Sequence, residues 1–124
     1  MAELATYIGV TPVSVALTAA AIGRGVRVTR NSSGLCAATA IGTRGDYVTL
    51  REGVASEVIP AVSAGSPAKV PALASEAVAV GDLAYSAANG KFSKTSTDAV
   101  LMGRWTLAAS GDGVLGEVQL FSVA

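Results

Sequence analysis

Between residues 77 and 121 apolar side chains recur at every second position, in runs of four to nine residues broken by glycine-bearing turns. A helix cannot bury such a pattern on one face, whereas short antiparallel strands can. Leu83 and Tyr85 share a face just after Gly81-Asp82, and Asn89-Gly90 is a strong hairpin signal, because a tight primed turn needs positive φ at both central residues. Residues 91–95 form the expected returning strand. From Ala99 onward the period places Ala99, Leu101, Gly103, Trp105 and Leu107 on one face and Val100, Met102, Arg104 and Thr106 on the other. Ser110-Gly111-Asp112-Gly113 then turns the chain, so that Val114, Gly116, Val118 and Leu120 oppose Leu115, Glu117, Gln119 and Phe121. The expectation for this third of the chain is a β-meander.

The earlier residues extend the same grammar. Pro12 opens a strand with Val13, Val15 and Leu17 on one side; Val26 to Arg30 alternates; further strands are expected at residues 35–41 and 47–51, with turns at 31–34 and 42–46. Glu57-Val58-Ile59 reads as a strand, yet Pro60 has no amide hydrogen to give a central ladder, which predicts an edge or a bulge there and again at Pro71. No internal repeat is evident. The predicted fold is therefore all-β: a small β-barrel or compact β-sandwich of short antiparallel strands, forming one domain over residues 12–124 behind a loosely held arm at 1–11.

One family shares several of these motifs. The run Val80-Gly81-Asp82-Leu83-Ala84-Tyr85, a glycine-containing hairpin, a Thr/Ser-rich strand, Met102-Gly103-Arg104 and a Gly-Asp-Gly turn before an alternating last strand resemble the small cement, or decoration, proteins of tailed-phage heads. The resemblance covers roughly the last half of the chain. It implies a β-rich protein on the outer surface of the virion, made in the bacterial host cytoplasm, often a homotrimer, that binds the major capsid protein of an expanded head and braces the shell. Under that resemblance Glu3, Leu4 and Tyr7 are candidates for an arm that orders against the shell; a fraying chain end accounts for them equally well.

Composition points independently towards assembly. Of the 124 residues 51% are apolar but only 5% aromatic, so the interior is built largely from alanine and valine. Each such side chain buries little area at about 25 cal/mol per Å². With a formal net charge of zero and a mean hydropathy of +0.52, little electrostatic repulsion opposes self-association. The charge is also uneven. Residues 24–51 hold five arginines and one acid, a net of +4, while residues 52–124 hold four bases and seven acids, a net of −3. Arg24, Arg27, Arg30, Arg44 and Arg51 are thus candidate contacts to a partner subunit or an acidic capsid surface. Scattered, solvated strand faces explain them as well. Nucleic acid is not an expected partner, because no aromatic residues interleave with the basic ones for base stacking. No apolar run approaches the ~20 residues of a membrane span.

Reactive chemistry is sparse. There is no histidine, which removes the usual general base and the Ser-His and Cys-His pairs, and the carboxylates stand singly. No enzymatic activity, cofactor or metal site is expected. Gly111-Asp112-Gly113 lacks the further acids of a calcium loop, and the Arg44-Gly45-Asp46 tripeptide fits a turn. Cys36 has no partner for a disulfide and reads as a small buried hydrophobe. Trp105 is expected in the core beside Leu101 and Leu107; exposed, it would be an interface anchor or a sugar platform. The alternative function is accordingly a virion-surface or secreted carbohydrate-binding or adhesion domain.

Overall fold

The computed structural model of the chain describes residues 12–18 and 20–122; the arm residues Glu3, Leu4 and Tyr7 lie outside them. The fold is all-β. Its strands are β1 (Val13–Leu17), β2 (Arg27–Arg30), β3 (Leu35–Ala38), β4 (Tyr47–Thr49), β5 (Val58–Ser63), β6 (Lys69–Leu73), β7 (Leu83–Ser86), β8 (Phe92–Ser93), β9 (Leu101–Leu107) and β10 (Leu115–Leu120). The first five close a barrel in the order β1-β3-β2-β4-β5, and the others form a sheet in the order β6-β10-β9-β7-β8. That second sheet also curls shut. Ala74, just past β6, bridges Phe92 of β8 in parallel, and the Ser75 N–H donates to the Phe92 carbonyl at 2.9 Å.

The two barrels are the same structure built twice. In each, the first strand runs parallel to the third and antiparallel to the fifth, and the second pairs antiparallel with the third and fourth. The registers match residue for residue. Arg27↔Val48 in barrel 1 corresponds to Leu83↔Arg104 in barrel 2, and Arg30↔Cys36 to Ser86↔Phe92, both displaced by 56 positions. Val13↔Ala61 corresponds to Val70↔Val118, displaced by 57. Loop hydrogen bonds repeat too: Gly25 N–H to Thr49 O becomes Gly81 N–H to Trp105 O, and Glu57 N–H to Val54 O becomes Val114 N–H to Gly111 O. The expectation of a chain without an internal repeat is corrected. Among corresponding strand positions only Val13 and Val70 are the same residue, so the sequence carries almost no trace of it.

Side-chain volume explains how one plan tolerates two sequences. Barrel 1 packs Val15, Leu17, Val28 and Ile59 around the small Cys36 and Thr49. Barrel 2 inverts this, with Ala72, Ala74, Ala84 and Gly116 around the large Phe92 and Trp105. Interiors must be filled to crystal-like density, but which wall supplies the bulk is free. The Phe92 and Trp105 rings meet edge to face, 6.3 Å between centroids, and the Trp105 Nε1–H donates to Ser93 O at 3.1 Å. Gly116 leaves room for the indole: a β-carbon there would lie 2.8 Å from Trp105 Cζ3.

Three local expectations change. Pro60 sits inside a closed barrel instead of at an edge, because its missing N–H faces Leu50, just beyond the end of β4, where only the reverse bond, Leu50 N–H to Pro60 O at 3.0 Å, is made. The C-terminal strands depart from a simple meander, since β9 returns to pair with β7 on the side opposite β8. β9 also carries an extra residue at Met102 against β7 and at Thr106 against β10. Such bulges re-aim side chains. Met102 therefore joins Trp105 in the interior, while Leu101 and Leu107, expected beside them, are exposed.

Candidate contact surface

The strongest polar constellation is the seam between the barrels. On the outside of barrel 1, Val48, Leu50, Val62 and Ala64 are buried in the same cluster as Ala68, Phe92 and Met102 of barrel 2. Arg27 lies on that outer face and is wholly buried. Its Nε donates to Lys91 O at 3.1 Å, Nη1 to Thr43 O, and Nη2 to Ala87 O. A buried cation needs its donors satisfied, and here main-chain carbonyls do so without an acid, Ala87 and Lys91 from the barrel 2 hairpin turn and Thr43 from a loop of barrel 1. Burial lowers the guanidinium from its ordinary value to about 10, which leaves it charged at neutral pH. Gly90 makes the close approach possible: its N–H donates to Thr39 O at 2.7 Å, and a β-carbon there would collide with the Val26 side chain and Arg27 O. Asn89 and Gly90 both adopt positive φ, as their turn signal predicts.

The remaining arginines have divergent fates. Arg44 reaches across the seam to Leu101 O at 3.0 Å and to Met102 Sδ, which ties down the Arg-Gly-Asp tripeptide. Arg51 pairs with Glu57 at 3.2 Å and also donates to Glu52 O and Val58 O. Arg30 is exposed and rests over the Tyr47 ring, 5.3 Å from its centroid. Arg24, half-exposed at the turn before β2, buries its Nε without a partner among the described residues. Arg27 is a correction as a surface contact, and Trp105 takes the core place expected of it, which removes it as an exposed anchor. Both are enclosed, the first because the second barrel covers its strand face, the second because it fills that barrel. Arg24, Arg30 and Arg51 remain as cations on the outside.

A set of exposed apolar residues was not anticipated. The Val78↔Ala109 bridge and the Gly81 N–H to Trp105 O bond set Val80 opposite Leu107, whose other neighbour is Glu117 of β10; Leu115 follows two residues before Glu117 and opposes Leu73. Val80, Leu107 and Leu115 are 65%, 57% and 40% exposed. The corresponding barrel 1 positions are Arg24, Arg51 and Val58. No signal in the sequence separates this row from core, since only the bulge at Thr106 turns Leu107 outward.

Titratable groups do not converge. Among the described residues there is no group of three or more His, Cys, Asp or Glu placed to hold a metal ion, and no helix long and apolar enough to cross a membrane. Burial pushes the Cys36 thiol up, away from the reactive thiolate. A cleft between the barrels is lined by Ile41, Ser75, Glu76, Ala87, Ser93 and Thr95, but Glu76 already accepts from Thr95 Oγ1 at 2.7 Å and from the Lys94 N–H.

No protein-family model and no curated protein matches the chain. Among solved structures, the fold is similar to that of the head fiber gp8.5 N base of bacteriophage phi29, with a TM-score of 0.68 and 16% identity over 92% of this chain and 99% of that one. At that identity the likeness is one of fold.

Proposed function

We propose that the chain is a structural component of a tailed-phage virion. It binds the outer surface of the expanded head as a homo-oligomer, a trimer, and bridges neighbouring major capsid subunits as a cement or fibre-base protein. The observation that carries this reading is the end-to-end fold likeness to a phage head fiber base, reached from a sequence whose turn and strand motifs already resemble head decoration proteins. The surface fits attachment: exposed Arg30 and Arg51 on one barrel and an apolar row on the other. Binding only the assembled shell stabilises it by mass action, and several attachment points per oligomer multiply weak contacts.

Cosedimentation with expanded capsids stripped of decoration tests this, together with the temperature at which those capsids rupture. Bound protein and a raised rupture temperature are expected; no binding, or binding with an unchanged rupture temperature, removes the bridging role. The carbohydrate-binding alternative loses its main support, because Trp105 is enclosed and offers no ring face to a sugar.

A further inference from the structure

The contact between the two barrels is heterologous. Barrel 1 offers the outer side of β2, β4 and β5, and barrel 2 offers the end that carries the turn at residues 87–91. Because both barrels share one plan, each of these surfaces has a counterpart that the described residues leave uncovered. On barrel 2 the counterpart of the receiving side is Leu83, Arg104, Thr106 and Gln119, which correspond to Arg27, Val48, Leu50 and Val62. On barrel 1 the counterpart of the inserting turn is residues 31–35, where the Asn31 N–H to Leu35 O bond repeats Ala87 N–H to Lys91 O. Gly34 corresponds to Gly90, and a β-carbon on it would meet nothing within 4 Å, whereas Gly90 is pressed against Val26 and Arg27.

The two free surfaces also match each other. Inside the chain the Arg27 guanidinium meets the Lys91 carbonyl; at the counterpart positions stand Leu83 and Leu35, both half-buried, so a carbonyl-bonded cation is replaced by an apolar pair. Residues 13–64 hold five bases and three acids, and residues 70–121 three bases and five acids, which favours approach of the first barrel to the second barrel of another molecule. Arg104 and Gln119 make the free side more polar than the internal seam. Interfaces between chains that fold separately have the polarity of ordinary surface, while an internal seam is never wetted.

We propose that Leu83 and the side chains around it receive Leu35 and the 31–34 turn of a second copy, so that chains join head to tail by repeating between molecules the contact that joins the barrels within one. A heterologous contact of this kind builds a ring when its rotation closes. The inference deepens the oligomer part of the proposed function, and its test needs no capsids, so either can fail without the other.

The test measures mass in solution by light scattering and sedimentation, on the full chain and on Leu35→Asp, Leu83→Asp and Leu107→Asp variants, with the near-ultraviolet signal of Trp105 as a check of fold. The unaltered chain is expected as a multi-chain species, Leu35→Asp and Leu83→Asp as single chains, and Leu107→Asp as assembled as the unaltered chain. Should either disruptive variant misfold, Leu35→Ser or Leu83→Lys takes its place and is expected as a single chain; where both fold, mixing Leu35→Asp with Leu83→Lys is expected to restore association through a new ion pair. A single-chain mass for the unaltered protein overturns the proposal. So does assembly that survives Leu83→Asp, or that Leu107→Asp abolishes.

Discussion

The guanidinium carbon of Arg27 stands 5.9 Å from the centroid of the Phe92 ring, a cation from the outside of one barrel set over an aromatic ring from the inside of the other. The pairing shows how a chain short of large side chains holds its halves together. The surrounding Val48, Leu50 and Val62 each contribute about 1.5–3 kcal/mol by burial, and Arg27 adds orientation through the carbonyls of Thr43, Ala87 and Lys91.

Replacing Arg27 with methionine keeps the length of the side chain and removes the donors. The carbonyls of Thr43 and Ala87 then lose their donor in a dry seam, while Lys91 O keeps the Ala87 N–H, and a loss of about 2–4 kcal/mol is expected. Arg27→Lys is expected to fall between, since an ammonium cannot span the same fork. Denaturant midpoints measure both. A methionine variant as stable as the parent would mean that water reaches these carbonyls.

Gly90 and Gly34 occupy corresponding turn positions at φ 75° and 82°. Alanine at Gly34 is expected to cost about 1 kcal/mol for its backbone conformation alone. Alanine at Gly90 meets the same backbone demand and also collides with Val26 and Arg27 O. Thermal unfolding of the two variants in dilute solution is expected to rank Gly90→Ala as the more damaging, and the difference measures the seam.

Gly116 and Trp105 are expected to be coupled. Gly116→Ala overpacks the indole at a cost of about 1–3 kcal/mol, while Trp105→Phe opens space and removes the Nε1–H donor to Ser93 O. In the double variant the alanine has room, so a double-mutant cycle is expected to show a coupling of at least about 0.5 kcal/mol. Additive losses would place the strain elsewhere, at Leu107 O, which a β-carbon on Gly116 would approach to 2.6 Å.

Glu57 accepts from the Val54 N–H at 3.0 Å and pairs with Arg51, and these contacts hold its carboxyl below the usual range. A carboxylate depressed in the folded state stabilises the fold above its unfolded pKa, and that contribution disappears as pH falls through the lower, folded value. The amide resonance of Val54 is therefore expected to titrate with a midpoint below that of an ordinary glutamate, and Glu57→Gln is expected to abolish the titration. A midpoint at the ordinary value would show the contact to be absent in solution.

Strands and turns were legible because they depend on neighbours in the sequence. Asn89-Gly90 announces its positive φ values, and Val15 and Leu17 announce their shared face. Relations that span the chain were not. The repeat is hidden because Leu17 opposite Cys36 and Ala74 opposite Phe92 solve the same packing demand with opposite sizes. Arg27 alternates like any solvated strand residue, and only the second barrel makes it internal. Leu107 shares its period with Trp105 up to the extra residue at Thr106, which no local preference marks. Pro60 argued for an edge because a proline cannot complete a ladder, and the register that lets it stand opposite a strand's end is a property of the closed barrel.

The end-to-end closure of each barrel sets the terms on which this protein can meet others. With Ala74 bridged to Phe92, and with β1 joined to both β3 and β5, the end strands among the described residues already meet a neighbour where a foreign strand would add. Crowding such molecules on a surface therefore carries little risk of runaway fibre growth. Whatever they grip, they grip with side chains, through patches that can be retuned one residue at a time.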